Sequence, residues 1–338
     1  MEYILNKCPL KTTNGFKIND IKLNLEIPNI SSFKDLEINS PIEVYTNKDG
    51  KNIKTNIGIS YDKSYEVNID VKDKVDNIYI KYDFSNSDIL VSNININYLS
   101  NSRANIIIFN KSIDDNNHYN HTNINIKASK YSEGNVSIIN LLNKNSYSFI
   151  DVVSNIDDNS LVVINIIDLG GKIKLSRLYS ELYRESKMYL NTIYMGSDKD
   201  IIDTNYYVKN IGGKSISNIE SQGVLSDTSI KNYRGIIDFI SGCSHSVGKE
   251  LENVVLLSDK VVSKSLPMLL CGEEDVDGAH GVSTGKIDKE KLFYLMSRGL
   301  SKKESEKLII EANFNKVLSN IPDKGIVDEI LNYIDEKV

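Results

Sequence analysis

From about residue 40 to about residue 260 the chain offers one short β-prone run after another, and no amphipathic helix of useful length interrupts them. Asn105-Ile106-Ile107-Ile108-Phe109, Thr122-Asn123-Ile124-Asn125-Ile126, Asn135-Val136-Ser137-Ile138-Ile139 and Leu161-Val162-Val163-Ile164-Asn165-Ile166 are examples. Branched Ile and Val suit a pleated surface, and Asn, Asp, Ser and Gly suit the bends between runs. Such short, fairly regular spacing fits a sandwich, a barrel or a solenoid, and period alone does not decide among them. We find no strict repeat motif. Two features favour a parallel β-helix. Asn recurs at the bends, where stacked turns can build side-chain amide ladders. Several strands carry consecutive apolar residues, as in a sheet covered on one face by its neighbours.

The 338 residues allow one large domain or two ordinary ones. A net charge of −6 supplies no global basic surface for nucleic acid. No apolar run approaches the ~20 residues of a membrane helix, and the first residues lack the apolar core and cleavage site of a signal peptide. Cys8, Cys243 and Cys271 are too scattered for a disulfide framework, which points to a reducing, cytoplasmic compartment. Walker A, dinucleotide-binding and nucleophile-elbow motifs are absent, so the expectation is a protein that is not an enzyme.

The stretch from Ser258 to Phe314 differs from what precedes it. An apolar run, Leu266-Pro267-Met268-Leu269-Leu270-Cys271, leads into an acidic turn and then His280-Gly281. Two short helices are expected next. Asp288 reads as an N-cap, Gly299 as a C-terminal stop, and Ser301 with Glu304 as a capping box. Pro322 fits the first turn of a third helix with Ile326, Ile330 and Ile334 on one face. These helices are expected to cover the solenoid end, which would otherwise expose an unpaired edge.

This stretch resembles the C-terminal part of the SufB/SufD family, the scaffold proteins of Suf-type iron–sulfur cluster assembly. The resemblance is carried by Ser258-Asp259-Lys260, Ser265-Leu266-Pro267, Asp277-Gly278-Ala279-His280-Gly281, Gly285-Lys286-Ile287-Asp288, Leu292-Phe293-Tyr294-Leu295, Ser297-Arg298-Gly299-Leu300 and Ala312-Asn313-Phe314. A second block runs from Gly223-Val224-Leu225 to Tyr233-Arg234-Gly235-Ile236. The match covers about residues 160 to 338 and looks closer to SufD than to SufB. It implies a mainly β chain: a right-handed parallel β-helix core over 40–286, an N-terminal arm over 1–39 and a C-terminal helical subdomain over 287–338. It also implies strands, rather than a helix, for the tyrosine-rich residues 171–200.

By the same resemblance the chain is a scaffold working with a SufB-like scaffold and a SufC-like ABC-type ATPase, as heterodimer or homodimer. Cysteine desulfurase and sulfur carrier would act indirectly. The cofactor is an iron–sulfur cluster, transient and assembled with a partner. His280, in a turn of small residues, is the candidate cluster ligand; the alternative is a histidine hydrogen-bonded at a dimer interface. Cys271, nine residues earlier, is the weaker candidate, since a buried thiol in an apolar strand is commonly just a small hydrophobe. The SufD pattern often has a cysteine two residues before the histidine, where this chain has Gly278. Glu252 stands where SufB members carry a sulfur-accepting cysteine, which argues against that role. Cys243 reads as a packed thiol, His118 and His121 as a solvated loop pair, and Glu273, Glu274, Asp275 and Asp277 as a solvated acidic turn. Phe293, Tyr294, Leu295 and Arg298 are the candidate ATPase-docking residues, with Leu292 and Leu295 packing on the solenoid end. The rival class is a β-helix enzyme or adhesin acting on polysaccharide.

Overall fold

The computed structural model describes residues 1–10, 16–33 and 36–337. Its core is a parallel β-solenoid of about eight turns, followed by three C-terminal helices. Each turn contributes one strand to each of two sheets. Sheet I runs from Lys74–Phe84 through Arg103–Ser112, Glu133–Leu141, Leu161–Asp168, Lys187–Gly196, Ile216–Leu225 and Ser246–Leu256 to Val276–Lys286. Sheet II runs from Tyr65–Val71 through Ile89–Tyr98, Tyr119–Ala128, Tyr147–Ile156, Ile173–Leu182, Ile201–Asn210 and Ile230–Phe239 to Val262–Cys271. The ambiguous segment 171–200 is therefore two strands, as the resemblance implied.

The pleat explains the consecutive apolar residues. In Arg103–Ser112, Ile106 and Ile108 join the solenoid interior, while Ile107 and Phe109 belong to a separate outer cluster. That outer face is coated by α2 (Lys302–Leu318) and α3 (Lys324–Lys337), whose Ile310, Phe314, Ile326, Ile330 and Ile334 pack on Ile107, Ile139, Ile167 and Ile193. The helices thus lie along the flank of sheet I instead of covering the end, because the outward apolar row of the sheet matches their own apolar stripe. The outer face of sheet II is coated by the N-terminal arm, through Leu5, Ile21 and Leu23, and by the following hairpin segment, through Ile57 and Tyr61, which pack on Val91, Tyr119, Phe149 and Leu175. Buried polar groups grip the tip of this arm. Arg234 pairs with Asp203 and donates to the Ile18 carbonyl (2.7 Å), and Asn6 Nδ2 donates to Asp203 Oδ1 (2.7 Å).

Amide ladders exist, but on strand faces and not at the bends. Asn125, Asn95 and Asn68 link at 3.0 and 2.9 Å outside sheet II, and Asn191, Asn165 and Asn135 at 3.0 and 2.9 Å outside sheet I. In-register parallel pairing stacks identical residues at one spacing, and that occurs along strands. The bend repeats differently. Asn101, Tyr131, Asn159, Glu185, Lys214 and His245 all have positive φ, and each is followed by a buried serine: Ser102, Ser132, Ser160, Ser186, Ser215 and Ser246. His118 and His121 are also buried, not solvated. His118 Nε2 lies 2.8 Å from Asp114, and His121 Nδ1 lies 2.6 Å from the Tyr61 hydroxyl. Burial depresses His121 to about 3, so it stays neutral.

Candidate functional site

The N-terminal end of the solenoid is closed. Antiparallel strands Leu36–Asn39 and Val44–Asn47 pair with the first turn, and the Phe33 ring sits 5.4 Å from Tyr82 and 5.1 Å from Phe84. The C-terminal end is open. Val262–Cys271 and Val276–Lys286 each pair on one side only, and neither contains a fully buried residue. Pro267 is tolerated here because an edge strand can lack an N–H.

His280 is exposed, but it lies inside the strand Val276–Lys286 and not in a turn. The small residues around it allow the ladder to the preceding strand to continue past it, with Glu250 as its register partner. Side chains in register share a face, so His280 stands on the inward side of the last turn, above Glu250. Cys271 ends the strand Val262–Cys271 and is exposed, contrary to the buried thiol expected; no further turn covers it. Cys243 is buried in the interior. Glu274, Asp275 and Asp277 are exposed as expected, while Glu273 accepts from the Gly242 amide at 2.8 Å.

Beneath this surface lies a polar group of residues that sequence reasoning did not bring together. Glu252 is fully buried and fully partnered. Its Oε1 accepts from Tyr194 (2.6 Å) and Lys231 (2.8 Å), and its Oε2 from Ser265 (2.5 Å). Burial pushes Lys231 downward, and the Glu252 charge opposes this. Glu250, two residues earlier on the same inward face, is different. It is 3% exposed, and neither carboxyl oxygen completes a hydrogen bond. Burial pushes it up to about 8; the nearby Tyr233 hydroxyl and Met268 backbone draw it only partly back. A Cβ on Gly235 would fall 1.8 Å from Glu250 Oε1, so only glycine leaves the room that this side chain occupies. Similarly, a Cβ on Gly223 would meet the Tyr194 ring at 2.2 Å. The block Gly223–Ile236 thus builds the floor under the open end. Its alternation of inward Lys231 and Tyr233 with outward Arg234 was the available signal.

The strand carrying His280 runs almost directly into α1 (Lys289–Ser297), capped by Asp288, which accepts from the Glu290 amide at 2.9 Å. The capping box of Ser301 and Glu304 is complete. Asp323, rather than Pro322, opens α3, accepting from the Ile326 amide at 3.1 Å. No residue of α1 is buried, so Leu292 and Leu295 do not pack on the solenoid end as expected. Phe293 and Tyr294 are 73% and 56% exposed, and the Arg298 guanidinium stacks 5.3 Å from the Tyr294 ring. Tyr294, Leu295, Leu308, Ile309 and Ala312 line an apolar groove between α1 and α2.

A parallel β-solenoid core followed by C-terminal helices is the architecture that the resemblance to iron–sulfur assembly scaffolds implied. A family model described as SUF system FeS cluster assembly, SufBD core domain, matches residues 83–313, more than half of the chain. The chain belongs to the SufB/SufD family, and its similarity is closer to SufD. It is 30% identical over 147 residues to the iron–sulfur cluster assembly protein SufD of Bacillus subtilis, covering 44% of this chain and 34% of that one. It is 25% identical over 171 residues to SufD of Escherichia coli, covering 50% and 40%. To a SufBD family protein of Pyrococcus horikoshii it is 28% identical over 173 residues, covering 50% and 38%. The matched region therefore spans well under half the length of these relatives. Among the described residues no helix is long and apolar enough to cross a membrane, and no group of three or more His, Cys, Asp or Glu is placed to hold a metal ion.

Proposed function

We propose that the chain is a non-enzymatic, SufD-like scaffold subunit of a SUF-type assembly complex. Its open end meets a SufB-like scaffold or a second copy of itself, and the α1–α2 hairpin docks a SufC-like ABC-type ATPase. The observation that carries this reading is the uncovered last turn with His280 exposed on its inward side. The cluster is cargo built at that interface. His280 supplies an imidazole ligand, and Cys271, exposed on the neighbouring edge strand, is the weaker thiolate candidate. The hairpin follows the histidine strand after only Ile287 and Asp288, so a partner that moves the hairpin also pulls on that strand. Such labile chemistry belongs in a reducing, cytoplasmic compartment.

The test is anaerobic reconstitution of the full chain with the SufB-like scaffold, the ATPase and a sulfur source, measuring iron and acid-labile sulfide. His280→Ala is expected to leave the thermal midpoint nearly unchanged and to lower the cluster yield. Normal yield with a large loss of stability would assign His280 a structural role instead. The isolated chain is expected to hydrolyse no ATP; enzyme-like turnover by the chain alone would overturn the scaffold assignment.

A further inference from the structure

The N-terminal arm has a root and a tip of different chemistry. The root is apolar, with Leu5, Ile21, Leu23 and Leu25 buried in one cluster on the outer face of sheet II. The tip, residues 6–10 with 18–20, lies further along the same face. Its two limbs are tied where the Cys8 amide donates to the Asn19 carbonyl (2.6 Å). Arg177, Asn205, Arg234 and Leu266 stand in one register column across four successive strands, the last of them the edge strand of the open end. The first three hold the tip by its backbone. Arg177 and Asn205 donate to the Lys7 carbonyl at 2.9 and 3.0 Å, and Arg234 donates to that of Ile18 at 2.7 Å. In the next outward column Tyr207, Ile236 and Met268 are in register. Cys8 forms a small cluster with Tyr207 and Ile236, and Leu10, Met268 and Leu270 pack against it. The tip thus reaches across the sheet to Val262–Cys271, beyond which there is no further strand.

This seam is incompletely satisfied. The side-chain carbonyls of Asn6, Asn205 and Asn232 and the Nε groups of Arg177 and Arg234 are buried without a hydrogen-bond partner. Beside Asn232 an open recess of about 570 Å³, lined also by Lys17, Asp20 and Lys22, gives water a way beneath the second limb. A polar seam with unpaired groups regains hydrogen bonds when water enters it, whereas an apolar one only loses contacts. The tip therefore separates from the sheet at a lower free energy than the root or the solenoid does. Asn6 marks the boundary between the two parts. Its φ of 48° lies in the left-handed region, which Asn tolerates better than most residues, so the chain turns there.

We propose that the arm tip is a releasable clasp on the last turn of the solenoid. Closed, it packs beside Met268 and Leu270 on the outward side of the edge strand and shields the Cys8 thiol. Open, it leaves that strand held by its single ladder while the root stays docked. The position of the tip therefore sets how firmly the last turn is held. On the scaffold reading above, that turn is the one a partner meets; the clasp itself does not depend on that reading.

The experiment follows thiol labelling by excess DTNB in the full chain carrying Cys271→Ser, with the labelled sites told apart by peptide mass. Cys243, buried in the solenoid interior, is the internal reference, because it reacts only when the solenoid unfolds. Cys8 is expected to react about tenfold or more faster than Cys243, yet about tenfold or more slower than in the urea-unfolded chain. Low urea should hardly change its rate, since a local opening exposes little surface. Asn205→Ala removes one donor to the Lys7 carbonyl, and Met268→Ala removes a contact from the edge strand. Each is expected to speed Cys8 labelling about threefold or more with the thermal midpoint nearly unchanged. Met268→Leu, which keeps the contact, should return the original rate. An arm that merely frays would not respond to a residue of the last turn. Should Met268→Ala lower the midpoint, Leu10→Ala probes the same contact from the arm, and exchange of the amides in 266–270 should then quicken about threefold or more. Cys8 labelling no faster than Cys243, or as fast as in the unfolded chain, overturns the clasp. So does unchanged Cys8 labelling in a folded Met268→Ala variant, or unchanged exchange at 266–270 in Leu10→Ala.

Discussion

Phe33 and two antiparallel strands close one end of the solenoid, while at the other end His280 stands in solvent on an edge strand paired on one side only. Both ends face the same physical problem: a stack of turns buries apolar surface only between neighbours, so a terminal turn needs a cap. The chain has the material for a second cap. Its C-terminal helices carry a continuous apolar stripe, yet they spend it on the flank of sheet I. The last strands instead limit unwanted pairing through Pro267 and the glycines 278, 281 and 285. A closed end serves the fold; on the reading proposed above, the end that is guarded but not covered is kept for a partner.

That contrast predicts a gradient of mutational cost from the closed end to the open one. Phe33→Ala should remove the plug against Tyr82 and Phe84 and destabilise the chain by about 4 kcal/mol, read by urea denaturation. A loss below about 1 kcal/mol would mean that the plug does not close the end. Next, Arg234→Ala should cost about 3 kcal/mol, because it leaves Asp203 buried without its charged partner. It should also speed hydrogen exchange in residues 1–10 before the solenoid unfolds; unchanged exchange there would detach Arg234 from the arm. At the hairpin beside the open end, Tyr294→Ala combined with Arg298→Glu should weaken ATPase binding by about 2 kcal/mol while folding survives. Equal affinity in a folded double variant would remove the docking surface.

A pH-dependent effect concerns the interior between the ends. Burial raises Asp168 to about 7 from an unfolded value of 3.8. Between those values the folded chain keeps a proton that the unfolded chain has released, so this group's contribution to stability is present below about pH 4 and is lost as pH rises towards about 7. Asp168→Asn should flatten that part of the stability profile. An unaltered slope would show that Asp168 does not titrate there.

Much of this architecture was legible in the residues. Ile-rich runs such as Asn105–Phe109 marked the strands, and Asp288, Ser301 and Glu304 marked the helix starts, because these signals are local. The repeat was present too, but not where amide ladders suggested. It is a serine following a residue of positive φ, with five different residue types across coils spaced unevenly enough to hide the period: Asn101-Ser102, Tyr131-Ser132, Glu185-Ser186. The placement of the helices was not legible, since the same stripe of Ile326, Ile330 and Ile334 fits either an end or a flank. His280 was singled out by its motif, but Glu250 was not. Only the register of Ser246–Leu256 against Val276–Lys286 shows that the two share a face. His118 and His121 looked solvated because their neighbours are polar, and the cover that buries His121 comes from Tyr61, sixty residues away.

The central claim is that the last turn is left open for a partner. Hydrogen exchange across the two final strands tests it most directly, measured on the dilute chain and again with the SufB-like scaffold or at concentrations that favour self-association. The account predicts that amides in Val262–Cys271 and Val276–Lys286 exchange fast in the dilute chain, while those of Lys74–Phe84 at the closed end stay protected. Adding the partner, or raising the concentration, should slow the final strands to match. Protected final strands in the dilute chain, or fast exchange that no partner slows, would contradict it.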